Sequence, residues 1–188
     1  MIRERWSPRA FDPAADISDA ELHRLFEAAR WAPSSLNEQP WRFLVARRAR
    51  SGAAFAALLH ALTLRNQEWA RAAPLLVLVV VRSTLERTGQ VNTHAWYDAG
   101  QAVAFLTLQA TAGGLASRQM QGFDPARARE ACRVPEPFEP AVVLALGRVG
   151  DPAALATDAH RAAELQPRQR RPIADFVFDE EWGRPLAR

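Results

Sequence analysis

Apolar positions recur at two spacings along this chain, and the switches between them outline its elements. Leu22, Leu25, Phe26 and Ala29 repeat at helical spacing behind Ser18-Asp19-Ala20-Glu21. That tetrad is a capping box, in which Ser18 accepts from the first turn and Glu21 reaches back. Pro33 sets the end of this helix, because the residue before a proline is pushed out of the helical region. Trp41 to Ala46 predicts a strand, and a mostly Ala/Leu helix follows from about Ala53 to Leu64. Pro74 to Val81 is an apolar, largely β-branched run without alternation, the mark of a central strand covered on both faces. A long helix spans about Ala95 to Gly113, closed by Gly113-Gly114. Asp124-Pro125 supplies an N-cap and a proline at the first helical position, opening a short helix to about Cys132. Ala141 to Val149 predicts a second buried strand, and Ile173 to Phe178 a short terminal one.

No repeat or linker interrupts this order, so residues 1–188 read as a single domain, long enough to bury a substantial core. Helices alternating with apolar strands give an α+β arrangement of mixed layers, one sheet with helices on its faces. The pattern leaves the strand order open.

Charge changes this picture little. All 24 basic residues are arginine, so the pI climbs to about 10.2 while the net charge is only +3. A nucleic-acid surface would show a dense basic stripe and a docking motif, and neither is present. The apolar stretch from Ala99 to Ala116 carries Gln101, Thr107 and Gln109 and follows Asp98, which predicts a buried helix rather than a membrane span. Met1 to Trp6 has no apolar leader core, and a reducing cytoplasm is expected. Cys132 is the single cysteine, which excludes an internal disulfide framework and a cysteine metal cluster. Asp179-Glu180-Glu181 reads as a solvated face, so no metal is expected.

Self-contained catalytic signatures are missing: there is no G-x-S-x-G, H-E-x-x-H, P-loop or G-x-G-x-x-G. His23, His60, His94 and His160 fall on predicted helices without a visible Asp or Ser partner, which favours surface or packing roles. The chemistry, if any, would then belong to a bound cofactor. Three clusters could hold one. In Arg5-Trp6-Ser7-Pro8-Arg9, alternate residues of an extended segment bring Arg5, Ser7 and Arg9 to one side, where guanidinium forks suit a phosphate. A solvated basic arm is the alternative. Pro33-Ser34-Ser35-Leu36-Asn37 offers short polar groups on a stiff turn, which could serve a flat heterocycle or only the turn's own backbone. Arg168 and Arg170, between Pro167 and Pro172, are a second phosphate-grade pair or a soluble arginine loop.

Taken together, these pieces resemble the nitroreductase family of FMN-dependent oxidoreductases. The resemblance rests on Arg5-x-Ser7-x-Arg9 and on Ala29-Arg30-Trp31-Ala32-Pro33-Ser34-Ser35-x-Asn37-x-Gln39-Pro40-Trp41. It continues through Asn66-Gln67, Ala73-Pro74, Asp98-x-Gly100, Leu108-Gln109-Ala110, Gly114-Leu115, Gly122-Phe123-Asp124, Leu146-Gly147 and Arg168-x-Arg170-x-Pro172. It implies a central, mainly antiparallel sheet flanked by helices in an intertwined homodimer, with residues 165–188 reaching onto the partner. Two FMN molecules would lie between the subunits. Arg5, Ser7, Arg168 and Arg170 would clamp the phosphate, with Trp6 alongside. Pro33, Ser34, Ser35 and Asn37 would come from the other chain, held in the core by Trp31 and Trp41. Asn66 would meet the pyrimidine edge, Arg9 would lie near N1 and O2, and Met120, Gln121 and Gly122 would pass N5. The position a turn beyond Asn66, basic in many members, is Trp69 here, with Arg71 as a substitute cation.

The implied activity is hydride transfer from NAD(P)H through the flavin to an electron-poor acceptor, such as a nitroaromatic or quinone, in a ping-pong cycle. No catalytic side chain is assigned. The alternatives are a flavin-binding or redox-sensing protein without turnover, or a family variant that removes halogens or fragments flavin.

Overall fold

The structure is a computed structural model, and it describes residues 1–186. Its elements follow the order α1 (Asp19–Arg30), β1 (Trp41–Arg47), α2 (Gly52–Ala61), α3 (Leu64–Ala70) and β2 (Leu75–Arg82). There follow α4 (Ala95–Ala112), β3 (Ala116–Met120), α5 (Pro125–Cys132), β4 (Phe138–Gly147) and α6 (Asp158–Leu165). The four strands form one antiparallel sheet in the order β1-β2-β4-β3. The fold is α+β, as the sequence implies.

The unbroken apolar run of β2 is explained by what covers it. Leu76, Leu78 and Val80 point into a core built with Phe55 and Leu58 of α2, Trp69 of α3 and Ala128 of α5. Leu75, Val77, Val79 and Val81 point the other way, against Leu22 and Leu25 of α1 and Val103 and Leu106 of α4. Alternate strand residues therefore serve two cores. Each Leu or Val so buried contributes about 1.5–3 kcal/mol. The capping box of α1 is present: the Glu21 amide donates to Ser18 Oγ at 3.2 Å, and the Ser18 amide donates to Glu21 Oε2 at 2.8 Å. At α5, Asp124 accepts from the Ala126 and Arg127 amides.

Several boundaries differ from the sequence reading. The helix expected from Ala53 to Leu64 is two helices. Its chain breaks where Leu62 bridges Phe123 and the Thr63 amide donates to the Gly122 carbonyl at 2.9 Å. The strand expected from Ala141 starts earlier, at Phe138, and passes a register shift opposite Val79 and Val80. β3 carries Ser-Arg-Gln at the sheet's edge, where one side needs no covering helix, so no apolar run announced it. Ile173 to Phe178 is not a strand: a 3-10 turn covers Ile173–Asp175, and Phe178 only bridges Pro185. Residues 187 and 188 of the expected partner-reaching segment lie outside the described residues.

The segment that leads into α1 is pinned beside the end of β4. Phe11 bridges Val149, the Asp12 amide donates to the Arg148 carbonyl at 3.0 Å, and the Gly150 amide donates to the Ala10 carbonyl at 2.9 Å. Gly150 is obligatory here, because a Cβ would lie 2.6 Å from the Phe11 carbonyl carbon. This docking fixes where residues 5 to 9 must run.

Candidate functional site

Two remote segments meet beyond that anchor. α6 is capped by Thr157, whose Oγ1 accepts from the His160 amide, and it presents Glu164 one residue before its end. The Glu164 carboxylate accepts from the Arg9 amide at 2.8 and 2.9 Å and from the Ala10 amide at 2.9 Å. The chain then leaves α6 through Pro167, and Arg168 Nη1 donates to the Arg5 carbonyl at 2.7 Å. Arg5 Nη1 in turn donates to Ser7 Oγ at 3.0 Å.

The result is an arginine-lined hollow. A cavity of about 220 Å³ is bounded by Arg5, Trp6, Ser7 and Arg9 on one segment and Arg168 and Arg170 on the other. Arg5, Arg168 and Arg170 are shared with a wider recess of about 520 Å³ that opens past Ile2 and Arg3. Both predicted arginine clusters therefore line one cavity, with Arg168 and Arg170 still exposed on its outer side. Burial, then Arg170 and Arg168, push the Arg5 pKa down. Like charges gathered in this way call for an anion, and the planar forks match phosphate or carboxylate oxygens.

One wall was not foreseen. Arg118 of β3 reaches the same cavity, donates to the Ser7 carbonyl, and lies 5.4 Å from the Trp69 ring centroid. Burial and then the neighbouring Arg9 bring its pKa down to about 10, with Glu164 opposing. Trp69 is buried and serves as a platform for this cation. Arg71 does not stand in for a basic residue there; it is exposed and bonds the Gln67 carbonyl of its own helix. No motif flagged Arg118 or Glu164, because the bonds of Arg118 to Ser7 and of Glu164 to Arg9 and Ala10 each span more than a hundred residues.

β3 carries the site to its other end. Met120 is buried, Gln121 is exposed, and the chain turns at Gly122. Asn66 Nδ2 donates to the Gly122 carbonyl at 3.0 Å. A Cβ on Gly122 would fall 2.8 Å from that nitrogen and 3.1 Å from Thr63 Oγ1. Only glycine lets this backbone lie so close to α3. Asn66, Met120, Gln121 and Gly122 thus belong to one corner, joined to the arginines through the five residues from Arg118 to Gly122.

Pro33, Ser34, Ser35 and Asn37 stand apart: none of them lines either arginine cavity. They form a rigid shelf on the α1–α4 side. The Ser35 amide donates to buried Asp98 at 3.0 Å, and Ser34 Oγ accepts from the Gln39 amide at 3.0 Å. The Glu38 carboxylate accepts from the Glu86 amide at 2.9 Å. These bonds hold Leu36, Asn37 and Gln39 at positive φ, a strain of order 1–3 kcal/mol each that functional sites often retain. Trp41 packs in the core as expected. Trp31 does not: it is 70% exposed, its Nε1 donating to Glu27 at 2.9 Å. The α1 helix ends at Arg30, so Trp31 has already turned away from the core.

Among the described residues no group of three or more His, Cys, Asp or Glu side chains is gathered to hold a metal, and no helix is long and apolar enough to cross a membrane.

Sheet order, shelf and arginine hollow together define an α+β protein with an arginine-lined cavity at one end of β3 and the Asn66–Gly122 corner at the other. The sequence model of the Nitroreductase family matches residues 2–148, and the chain belongs to that family. It is 38% identical over 151 residues to an uncharacterized 15.4 kDa protein of Mycolicibacterium smegmatis, covering 77% of this chain and 99% of that one. A Burkholderia lata protein, provisionally named NADH dehydrogenase/NAD(P)H nitroreductase, is 31% identical over 157 residues, 74% of this chain and 78% of its own. Among solved structures, an oxidoreductase containing FMN superposes with a TM-score of 0.88 at 32% identity, over 95% of this chain and 89% of that one.

Proposed function

We propose that the protein is an FMN-dependent NAD(P)H oxidoreductase acting on electron-poor acceptors such as nitroaromatics or quinones. The observation that carries this reading is the convergence of Arg5, Ser7, Arg9, Arg168 and Arg170 on one cavity, with the Asn66–Gly122 corner at the far end of β3. That layout fits a flat cofactor with an anionic tail. The arginines are mutually repulsive until a phosphate joins them, and the missing Cβ at Gly122 lets its main chain pack against Asn66 and Thr63. FMN held there would supply hydride acceptance from a reduced nicotinamide and delivery to the acceptor in turn.

The chain's own residues bind and orient rather than move protons. Arg5, Ser7, Arg168 and Arg170 take the phosphate, with Trp6 beside them. Arg9 and Arg118 add positive field, which favours whatever negative charge develops on a ligand nearby. Glu164 already accepts two backbone amides, so no carboxylic acid is placed to act as a proton donor, and none is assigned.

The shelf of Pro33, Ser34, Ser35 and Asn37 completes the cleft of a second copy in this reading, giving a homodimer. In support, α1 and α4 leave an apolar groove lined by Ala28, Trp31, Phe105, Leu108 and Ala112. Such a surface is more at home in an interface than in water. Ile173, Phe176 and Trp182 are exposed on the last segment, and we assign them to the partner's surface. The lone Cys132 suits the reducing cytoplasm, where nicotinamides are abundant.

Purified protein should be yellow, and anaerobic NADH or NADPH should bleach it. A colourless protein that takes up no FMN overturns the reading; bound flavin that neither nicotinamide reduces leaves a flavin-binding protein without turnover.

A further inference from the structure

The two halves of the arginine cluster, the partly buried Arg5 to Arg9 and the exposed Arg168 to Arg170, carry like charges, and the bond from Arg168 to the Arg5 carbonyl works against their repulsion. Glu164 joins them as well: it sits four residues before Arg168, and its carboxylate takes the amides of Arg9 and Ala10 across 155 and 154 residues of sequence. The carboxylate is in a residue only 6% exposed, and Ala10 is 4% exposed, so these bonds are shielded from competing water.

We propose that Glu164 is a positioning residue that assembles the anion clamp before any cofactor arrives. The inference rests on the FMN reading above for its ligand, and on geometry alone for its mechanism. Two effects of Glu164 on anion affinity have opposite sign. As a negative charge beside Arg9 and Arg118, it weakens the pull on a phosphate, and removing it should tighten binding. As the acceptor that fixes residues 9 and 10, it keeps the arginines aimed, and removing it should loosen binding. Glu164 itself lines the cavity, beside Arg9 and Arg118. Preorganisation wins, because those guanidiniums offset its charge, whereas truncation orphans two amides directly.

Geometry also separates the two in a single conservative variant. Glu164 Oε1 alone accepts from both amides, at 2.8 Å from Arg9 and 2.9 Å from Ala10. The carbonyl oxygen of a glutamine can do the same without the charge, with its Nε2 turned from the Arg9 amide so that only the second, 2.9 Å contact is given up. Glu164→Gln should therefore retain FMN affinity within about threefold, while Glu164→Ala should lose at least about tenfold at unchanged far-UV circular dichroism.

Calorimetric FMN titration of wild type and both variants decides the matter. An Ala variant that binds as tightly as wild type, or more tightly, reduces Glu164 to a counter-charge and overturns the proposal. A Gln variant as weak as the Ala variant overturns it too, since charge rather than bonding would then hold the clamp. Should the Ala variant fail to fold, hydrogen exchange of cofactor-free wild type gives an independent reading. Slow exchange at the Arg9 and Ala10 amides supports preassembly, and free exchange that slows only on adding FMN refutes it. Wild type that binds no FMN at all sinks the functional reading, while the exchange measurement still tests this one.

Discussion

Asn66 and Gly122 meet so closely that position 122 has no room for a side chain: the Asn66 amide nitrogen donates to the Gly122 carbonyl at 3.0 Å and would stand 2.8 Å from a Cβ. Gly122→Ala must push Asn66 or Thr63 aside. Overpacking of this kind costs about 1–3 kcal/mol. Urea denaturation should register that loss, together with reduced flavin occupancy. A variant of wild-type stability and colour would show that this corner yields freely.

The phosphate end can be tested by charge. Arg168→Ala with Arg170→Ala removes two charge-assisted partners worth about 1.5–3 kcal/mol each. The folded double variant should bind FMN at least two orders of magnitude more weakly, with a shallower salt dependence. Full occupancy after purification would place the anion elsewhere.

Asp98 is buried in α4 and accepts the Ser35 amide at 3.0 Å, tying the shelf to the core. Asp98→Ala leaves that amide without its partner, a cost of about 1–3 kcal/mol. Asp98→Asn keeps an acceptor oxygen and should lose less. Equal losses in the two would mean that the bond to Ser35 is not what Asp98 contributes.

Dimer formation is tested at Phe105, half exposed in the α1–α4 groove. Phe105→Glu should yield monomers in light scattering at micromolar concentration. Under the proposed dimer, in which the shelf serves the other subunit, these monomers should also lose flavin. Dimers that persist with a buried glutamate would move the interface away from this groove.

Glu27 supplies a pH signature. Hydrogen bonds from Arg30 and then Trp31 pull its carboxyl down from 4.5 to about 2. The depressed value belongs to the folded state, so its stabilisation is fully present above about 4.5 and disappears as pH falls through about 2. The Glu27 carboxyl carbon should titrate near the lower value by NMR. A midpoint near 4.5 would show that the Glu27–Trp31 contact does not persist in solution.

Legibility in the sequence followed the range of the forces involved. The Ser18 capping box and the Asp124 cap are local, and both stand where the chain spells them. β2 announced itself because both its faces are covered, whereas β3 stayed silent because Ser117, Arg118 and Gln119 occupy an edge. Arg5, Ser7, Arg168 and Arg170 were readable as phosphate partners by residue type, but their meeting depends on Phe11 docking at Val149 and on α6 crossing back. Glu164 and Arg118 could not be read at all, since nothing near them in the chain states what they touch. Trp31 misled in the opposite way: an aromatic beside a proline suggests core, and the helix end turned it outward.

The bond between Arg168 and the Arg5 carbonyl also sets an order of events during synthesis. A nascent chain holds only half a clamp until its later arginines have left the ribosome tunnel, however well the sheet has already formed. On the flavin reading, pigment capture is therefore among the last acts of maturation: a translation product halted before Arg168 carries all four strands yet only half of the clamp.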